Sequence, residues 1–215
     1  MSNDFADRLV AARSPRRETK SLIYRHALRL FARHGYAGTS LREIAEAVGL
    51  EVPSLYTHIR SKRELLYDLM EFGNRDLLDR LARSVAAVPD DRPLDRLYLL
   101  VRENVISHCR HSDQTTVVFT EIRELSDDQR AKIVALRREI ENLFRSALEA
   151  AVAEGVARPV NIAVTVFGAL AIGRGAATWY RENGPLSPEE IGDLYGEQVV
   201  RGVLAPGSDW SSPGA

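Results

Sequence analysis

The stretch SLREIAEAVGLEVPSLYTHI, residues 40–59, carries two apolar stripes with a break between them. Leu41, Ile44, Ala45 and Val48 recur at helical spacing, and so do Val52, Leu55, Tyr56 and Ile59. Helices are therefore expected at 40–48 and 52–59, joined by Val48-Gly49-Leu50-Glu51, a turn of the length that sets helices near-perpendicular. At such a crossing the small side chain of Ala45 permits close approach, and Gly49 can take the positive φ that the turn demands. Leu55 closes the small core from the second helix. That helix has too little apolar face to be a domain of its own, yet it displays Pro53, Ser54, Tyr56, Thr57 and His58. Short side chains able to hydrogen-bond or to read shape suit the major groove of DNA.

Charge placement agrees. Residues 13–68 hold eleven Lys and Arg against six Asp and Glu, a net +5, whereas 69–215 carry −5 and the first twelve residues −1. The overall −1 is a cancellation between a basic head and an acidic body, and that asymmetry is the footprint of a phosphate-binding domain. Of the 29 basic residues only Lys20, Lys62 and Lys132 are lysine. Codon bias in a GC-rich genome explains that excess of arginine more simply than selection for forked donors does.

Outward from the central pair, the helical period continues. Helices are expected at about 15–34, 61–87, 93–111, 113–124, 126–154, 159–182 and 187–204. Ser40…Glu43, Ser61…Glu64, Ser126…Gln129 and Ser187…Glu190 match the capping box, in which hydroxyl and N3 side chain satisfy each other's orphan amide. Gly35, Gly49, Gly155 and Gly184-Pro185 mark stops. TTVVFT (115–120) and IAVTVF (162–167) are β-branched, but each lies inside a longer helical pattern with no partner strand in sight. The fold expected is all-α, about nine helices, with a helix-turn-helix domain at 13–60 and a helical domain at 61–204. Residues 1–12 and the turn-rich tail 205–215 are expected to be flexible.

Several function classes fall away. A single cysteine, Cys109, forms no intramolecular disulfide, so a reducing, cytoplasmic setting fits. No run approaches about 18 consecutive apolar residues, so no membrane partner is expected. Nucleophile elbow, Walker loop and dinucleotide fingerprint are all missing, which argues against an enzyme and against a bound cofactor. His108, Cys109 and His111 supply only one face of a zinc site, and no metal is expected.

The stretch GYAGTSLREIAEAVGLEVPSLYTHIRSKRELL, residues 35–66, resembles the DNA-binding domain of the TetR (AcrR-like) family of bacterial transcriptional regulators. The matching pieces are Gly38-Thr39-Ser40, Ile44-Ala45, Val48-Gly49, Ser54-Leu55-Tyr56, His58, Ser61-Lys62 and Leu65-Leu66, within a match over roughly 16–70. The resemblance implies that Ser40 and Arg42 touch phosphate or the groove edge, that Val52, Pro53, Ser54, Tyr56 and His58 face the groove, and that Lys62 meets a phosphate. Arg16 and Arg17 are phosphate candidates as much as an ordinary solvated first turn. Ile59 stands where the family commonly has phenylalanine. Val52 stands where a polar side chain is frequent, which leaves a thymine methyl contact in place of a base hydrogen bond.

For the body, the resemblance implies an effector pocket and a homodimer through the last two helices. Phe119–Leu125 and Trp179–Ile191 look like a subgroup that includes regulators of fatty-acid and steroid catabolism, several answering to acyl-CoA thioesters. Arg174, set among Gly168, Ala169, Ala171, Gly173, Gly175, Ala176 and Ala177, is an anion-binding candidate, and Phe72, Phe119, Phe167 and Trp179 are candidate walls of an apolar cavity. The same small residues equally suit close helix packing, and each aromatic equally suits the core. The function expected is a ligand-responsive repressor on a palindromic double-stranded operator, released by a small-molecule effector such as an acyl-CoA or lipid-derived metabolite. The alternative is a helical small-molecule-binding adaptor that does not bind DNA.

Overall fold

The computed structural model describes residues 15–213, with side chains from residue 18 onward. Nine α-helices follow one another among the described residues: α1 Pro15–Gly38, α2 Leu41–Ala47, α3 Val52–Leu55, α4 Lys62–Val85, α5 Pro93–Arg110, α6 Ser112–Thr120, α7 Asp127–Ala153, α8 Ile162–Trp179 and α9 Pro188–Val203. A 3-10 turn, Ile122–Glu124, separates α6 from α7. No strand occurs among the described residues. A single antiparallel bridge joins Ala157 to Leu204, so that the turn after α7 is tied to the end of α9. Both β-branched runs are helical, since neither has an edge to pair with.

Local chemistry sets the helix ends. Ser40 Oγ accepts from the Glu43 N–H at 3.1 Å while the Glu43 carboxylate accepts from the Ser40 N–H at 2.7 Å. Ser187 and Glu190 repeat the arrangement, Ser126 and Gln129 do so more loosely, and Ser61 Oγ accepts from the Glu64 N–H at 3.0 Å. The α8 start lies at 162 rather than 159 because the Asn161 side chain caps the Val164 N–H at 3.1 Å.

The chain forms two compact units. The first runs to Arg75 and takes in Asp113–Ala135; the second comprises Asp76–Ser112 and the chain from Leu136 on. The divisions thus fall within α4, after the first residue of α6 and within α7. In the first unit, Ile23, Ala27 and Phe31 of α1 pack with Ile44 and Ala45 of α2, Leu55, and Leu65, Leu66 and Met70 of α4. Val117 of α6 and Ile133 of α7 complete that core.

In the second unit α5 is the central helix, packed by both α8 and α9. Glycines permit the approach: a Cβ on Gly196 of α9 would stand 2.7 Å from the Tyr98 ring, and one on Gly173 of α8 would run into Asn104 and His108. The small residues of α8 divide by face. Ala169, Gly173 and Ala176 are buried, whereas Val164, Phe167, Gly168, Gly175 and Trp179 are exposed. This helix is long and apolar enough to cross a membrane by length and composition, with a mean hydropathy of 1.4. One of its faces is nonetheless spent on α5.

The tail corrects the expectation of a loose end from 205. Trp210 lies 5.6 Å from the Tyr98 ring, its Nε1–H donates to Asp95 at 2.8 Å, and Ser212 donates to Glu197 at 3.1 Å. Asp95 is itself buried and ion-paired to Arg92 at 2.6 Å. Residues 1–12, expected to be flexible as well, lie outside the described residues. Removing the indole takes away both apolar cover and a donor to a buried carboxylate. Trp210→Ala is expected to lower unfolding free energy by about 2 kcal/mol, read as a lower urea midpoint with unchanged helical circular dichroism.

Candidate functional site

The surface that reads outward from the first unit is built on a turn. Gly49 has φ 69°, the Leu50 N–H donates to Ala45 O at 2.9 Å, and the Gly49 N–H donates to Glu46 O at 3.1 Å. This pair of bonds ends α2 and sends the chain back across it, with glycine at the one position where a Cβ would be strained. Helix α3 is only four residues long, against the eight expected. Its last turn tightens, with Thr57 N–H on Ser54 O at 3.1 Å and His58 N–H on Leu55 O at 2.9 Å. Leu55 and Ile59 point into the core at 0% and 6% exposure. The opposite side of the segment presents Pro53, Ser54, Tyr56 and Thr57, all exposed, flanked by half-buried Val52 and His58. Tyr56 is 53% exposed, so it belongs to the outer surface and not to the core stripe on which its spacing set it.

The flanking candidates fall out differently. Ser40 is committed as the α2 cap. Arg42 is exposed and reaches back to Glu46 at 2.8 Å, a surface pair that costs little to exchange for another anion. The backbone of Arg16 and Arg17 is in α1, but their side chains lie outside those described. Lys62, the expected phosphate residue, has partners within its own unit. Its Nζ donates to Tyr36 O at 2.8 Å and Thr39 O at 2.7 Å, and it lies 4.2 Å over the Tyr36 ring. Thr57 and Arg60, outside the expected contact set, are also exposed there. Arg60 is a cation directly after the buried Ile59.

The candidate ligand residues are divided between the two units. Phe72, in the first unit, borders a cleft of about 200 Å³ together with Lys20, Tyr24, Asp68, Glu71 and Arg75. Tyr24 donates to Asp68 there, and burial pushes that carboxyl above its ordinary range. Phe119, on α6 of the first unit, is half-buried. Phe167 and Trp179, in the second, are 58% and 48% exposed on the open face of α8, so they are not walls of an enclosed pocket in the single chain.

Arg174 has polar company of its own within the second unit. Asn104, Ser107 and His108 of α5 are buried, and the Asn104 carboxamide oxygen has no hydrogen-bond partner. Burial, then Arg174, then His111 push His108 down to about 4. Burial and Arg174 likewise lower Arg137 on α7. Cationic or imidazole side chains of three helices are thus close enough to feel one another. Cys109 is a core thiol, pushed up to about 11 by burial. Among the described residues, no three His, Cys, Asp or Glu side chains stand together as a metal site would need.

Two outcomes follow. Leu55→Ala is expected to cost about 3 kcal/mol in the unfolding of the full chain, and Ser54→Ala under about 0.5 kcal/mol, as denaturant titrations would show. His108 stays neutral when folded but protonates near 6.5 when unfolded, so stability should fall by about 3 kcal/mol as pH drops from about 6.5 to about 4. His108→Gln should remove that slope from a pH series of unfolding curves.

Comparison with known proteins agrees with this geometry. Residues 19–69 match the model for bacterial regulatory proteins of the tetR family, and residues 90–203 match the tetracyclin repressor-like C-terminal domain. The HTH-type transcriptional repressor KstR2 of Mycolicibacterium smegmatis is 29% identical over 189 residues, which cover 85% of this chain and 89% of that protein. The structure of the ketosteroid transcriptional regulator KstR2 of Mycobacterium tuberculosis superposes with a TM-score of 0.80 at 25% identity, covering 91% of this chain and 97% of that one. AibR in complex with isovaleryl coenzyme A and operator DNA gives 0.75 at 28% identity, covering 87% and 99%. With a helix-turn-helix head and a matching helical body, the chain belongs to the TetR family of DNA-binding transcriptional regulators.

Proposed function

We propose that this regulator is a homodimeric repressor whose two α3 segments read successive major grooves of a palindromic operator, and which a small anionic effector releases. The observation that carries the DNA side is the division of residues 52–59 into a buried half and an exposed polar half. Such a segment has no reason to display Ser54, Tyr56, Thr57 and His58 together unless something reads them. In this reading Pro53, Ser54, Tyr56 and His58 meet base edges, with Val52 against a thymine methyl. Arg16, Arg17, Ser40, Arg42 and Lys62 hold the backbone. The two segments would stand roughly 34–36 Å apart, one helical turn. A DNA target implies the cytoplasm.

The open face of α8 supports the dimer. Val164, Phe167 and Trp179 are large apolar side chains at 68%, 58% and 48% exposure, with Leu194 of α9 at 59%. A second copy of the same two helices would cover them in a four-helix contact.

For the effector, Arg174 with Arg137 offers forked donors to a carboxylate or phosphate, and Asn104 an acceptor. An acyl-CoA thioester has the right charge, and the likeness to AibR, whose complex holds isovaleryl coenzyme A, supports that class. Release requires that the ligand prefer the conformation that misfits DNA.

Electrophoretic shift on the segment upstream of the chain's own gene, at two salt concentrations, tests the DNA reading. Affinity should fall steeply with salt, and Tyr56→Ala should weaken binding by about 1–3 kcal/mol with the fold unchanged. No retarded band at low salt would sink it. Arg174→Ala should leave operator binding intact while abolishing release by an acyl-CoA. Val164→Asp should shift the native mass from dimer to monomer.

A further inference from the structure

Within the effector site proposed above, on which this rests, the structure assigns to Asn104 the choice of ligand: an anion that also carries an O–H or N–H donor is accepted, and one that brings acceptors alone is refused. Asn104 lies on α5 at 1% exposure. Its Nδ2 donates to Leu170 O of α8 at 3.4 Å. That contact fixes which way the carboxamide lies, because a flipped amide would set Oδ1 against another acceptor. Oδ1 is then directed away from the Leu170 carbonyl, wholly buried and without a hydrogen-bond partner among the described residues.

The packing of α8 is cut to suit this arrangement. A Cβ on Gly173 would fall 2.4 Å from Asn104 Nδ2 and 2.6 Å from His108 Cδ2, so α8 carries no side chain where α5 presents these two polar groups. His108 stands one turn along α5 from Asn104, and burial holds it neutral at ordinary pH. The residue after Gly173 is Arg174, exposed to solvent, and its charge is felt by both His108 and Arg137. One neighbourhood of the second unit therefore offers positive charge at a wet end and an uncharged acceptor at a dry end.

A carboxylate or phosphate satisfies guanidinium groups and has no hydrogen left for Asn104. A free fatty acid, ionised at its head and alkyl elsewhere, would leave the buried oxygen desolvated and unpaired. A hydroxyacyl group brings an O–H, and the pantetheine arm of coenzyme A brings amide N–H groups and a hydroxyl between its phosphates and its thioester. A site that hydrogen-bonds its ligand rejects analogues lacking that group far more strongly than an apolar pocket rejects a missing methylene. The fold itself gains nothing from an unpaired buried oxygen.

Asn104→Leu in the full chain, close in size and without the acceptor, tests the assignment in two ways. Urea unfolding of the free protein should give a midpoint equal to the parent's or above it, since the variant loses an unpaired polar group. A lower midpoint would mark Asn104 as a structural residue and overturn the assignment. Calorimetric titration with octanoyl-CoA, 3-hydroxyoctanoyl-CoA and free octanoate reads the choice of ligand. The variant should bind the donor-bearing esters at least tenfold more weakly than the parent, and octanoate, weak in both, no differently. A greater loss for the hydroxy ester places the donor on the acyl group, and an equal loss places it on the pantetheine arm. Unchanged ester affinity, octanoate binding as tight as that of the esters, or no ester binding by the parent overturns the assignment. An ester that binds through Asn104 yet leaves the operator complex intact on a gel refutes release by an effector while the selection by Asn104 stands.

Discussion

Four residues of α-helix, Val52–Leu55, cannot hold themselves together in water, because a single turn fixes several dihedral angles for one or two hydrogen bonds. The proposed reading surface is therefore rigid only to the extent that something else makes it so. Leu55 and Ile59 anchor it from beneath, the bonds around Gly49 fix the angle at which it leaves α2, and the core of α1 and α4 receives the anchors. Polar side chains short enough for a groove cannot also supply packing. The chain divides these tasks between opposite sides of one eight-residue segment.

Features decided within a few residues were legible in the sequence. All four serine-led caps form, since a cap needs only a hydroxyl and a partner three positions on. The helix-turn-helix was equally readable, because its arithmetic lies within twenty consecutive residues. What could not be read are choices among distant partners. Nothing near Lys62 says that its acceptors lie 23 and 26 positions earlier. The small residues of α8 suited close packing or room for a ligand, and their spacing does not say which of them meet α5. Trp210 lies in the turn-rich tail, and only the buried Asp95 and the Tyr98 ring explain its place. The two units share α4 and α7, and an unbroken helical period carries no mark of where one core ends and another begins.

The body inverts the usual economy of a core. Its central helix α5 buries Asn104, Ser107 and His108 beside Leu97, Val101 and Val105, and glycines on α8 and α9 bring neighbouring backbones in close. Polar groups so enclosed cost stability unless they are satisfied; the Asn104 carboxamide oxygen has no partner, and a bound ligand is one way to supply it. An effector would then stabilise the fold that holds it, which links occupancy to rigidity in the same region.

Cys109 has a bearing on what kind of signal the protein can receive. It is the chain's single cysteine, 3% exposed, with its thiol pushed up to about 11, well into the protonated range at neutral pH. Oxidants and electrophiles act on thiolates they can reach, so sulfur chemistry gives them no foothold on the folded protein. A signal borne by oxidation of this cysteine would first have to open the core around α5, which a reversibly bound molecule does not require.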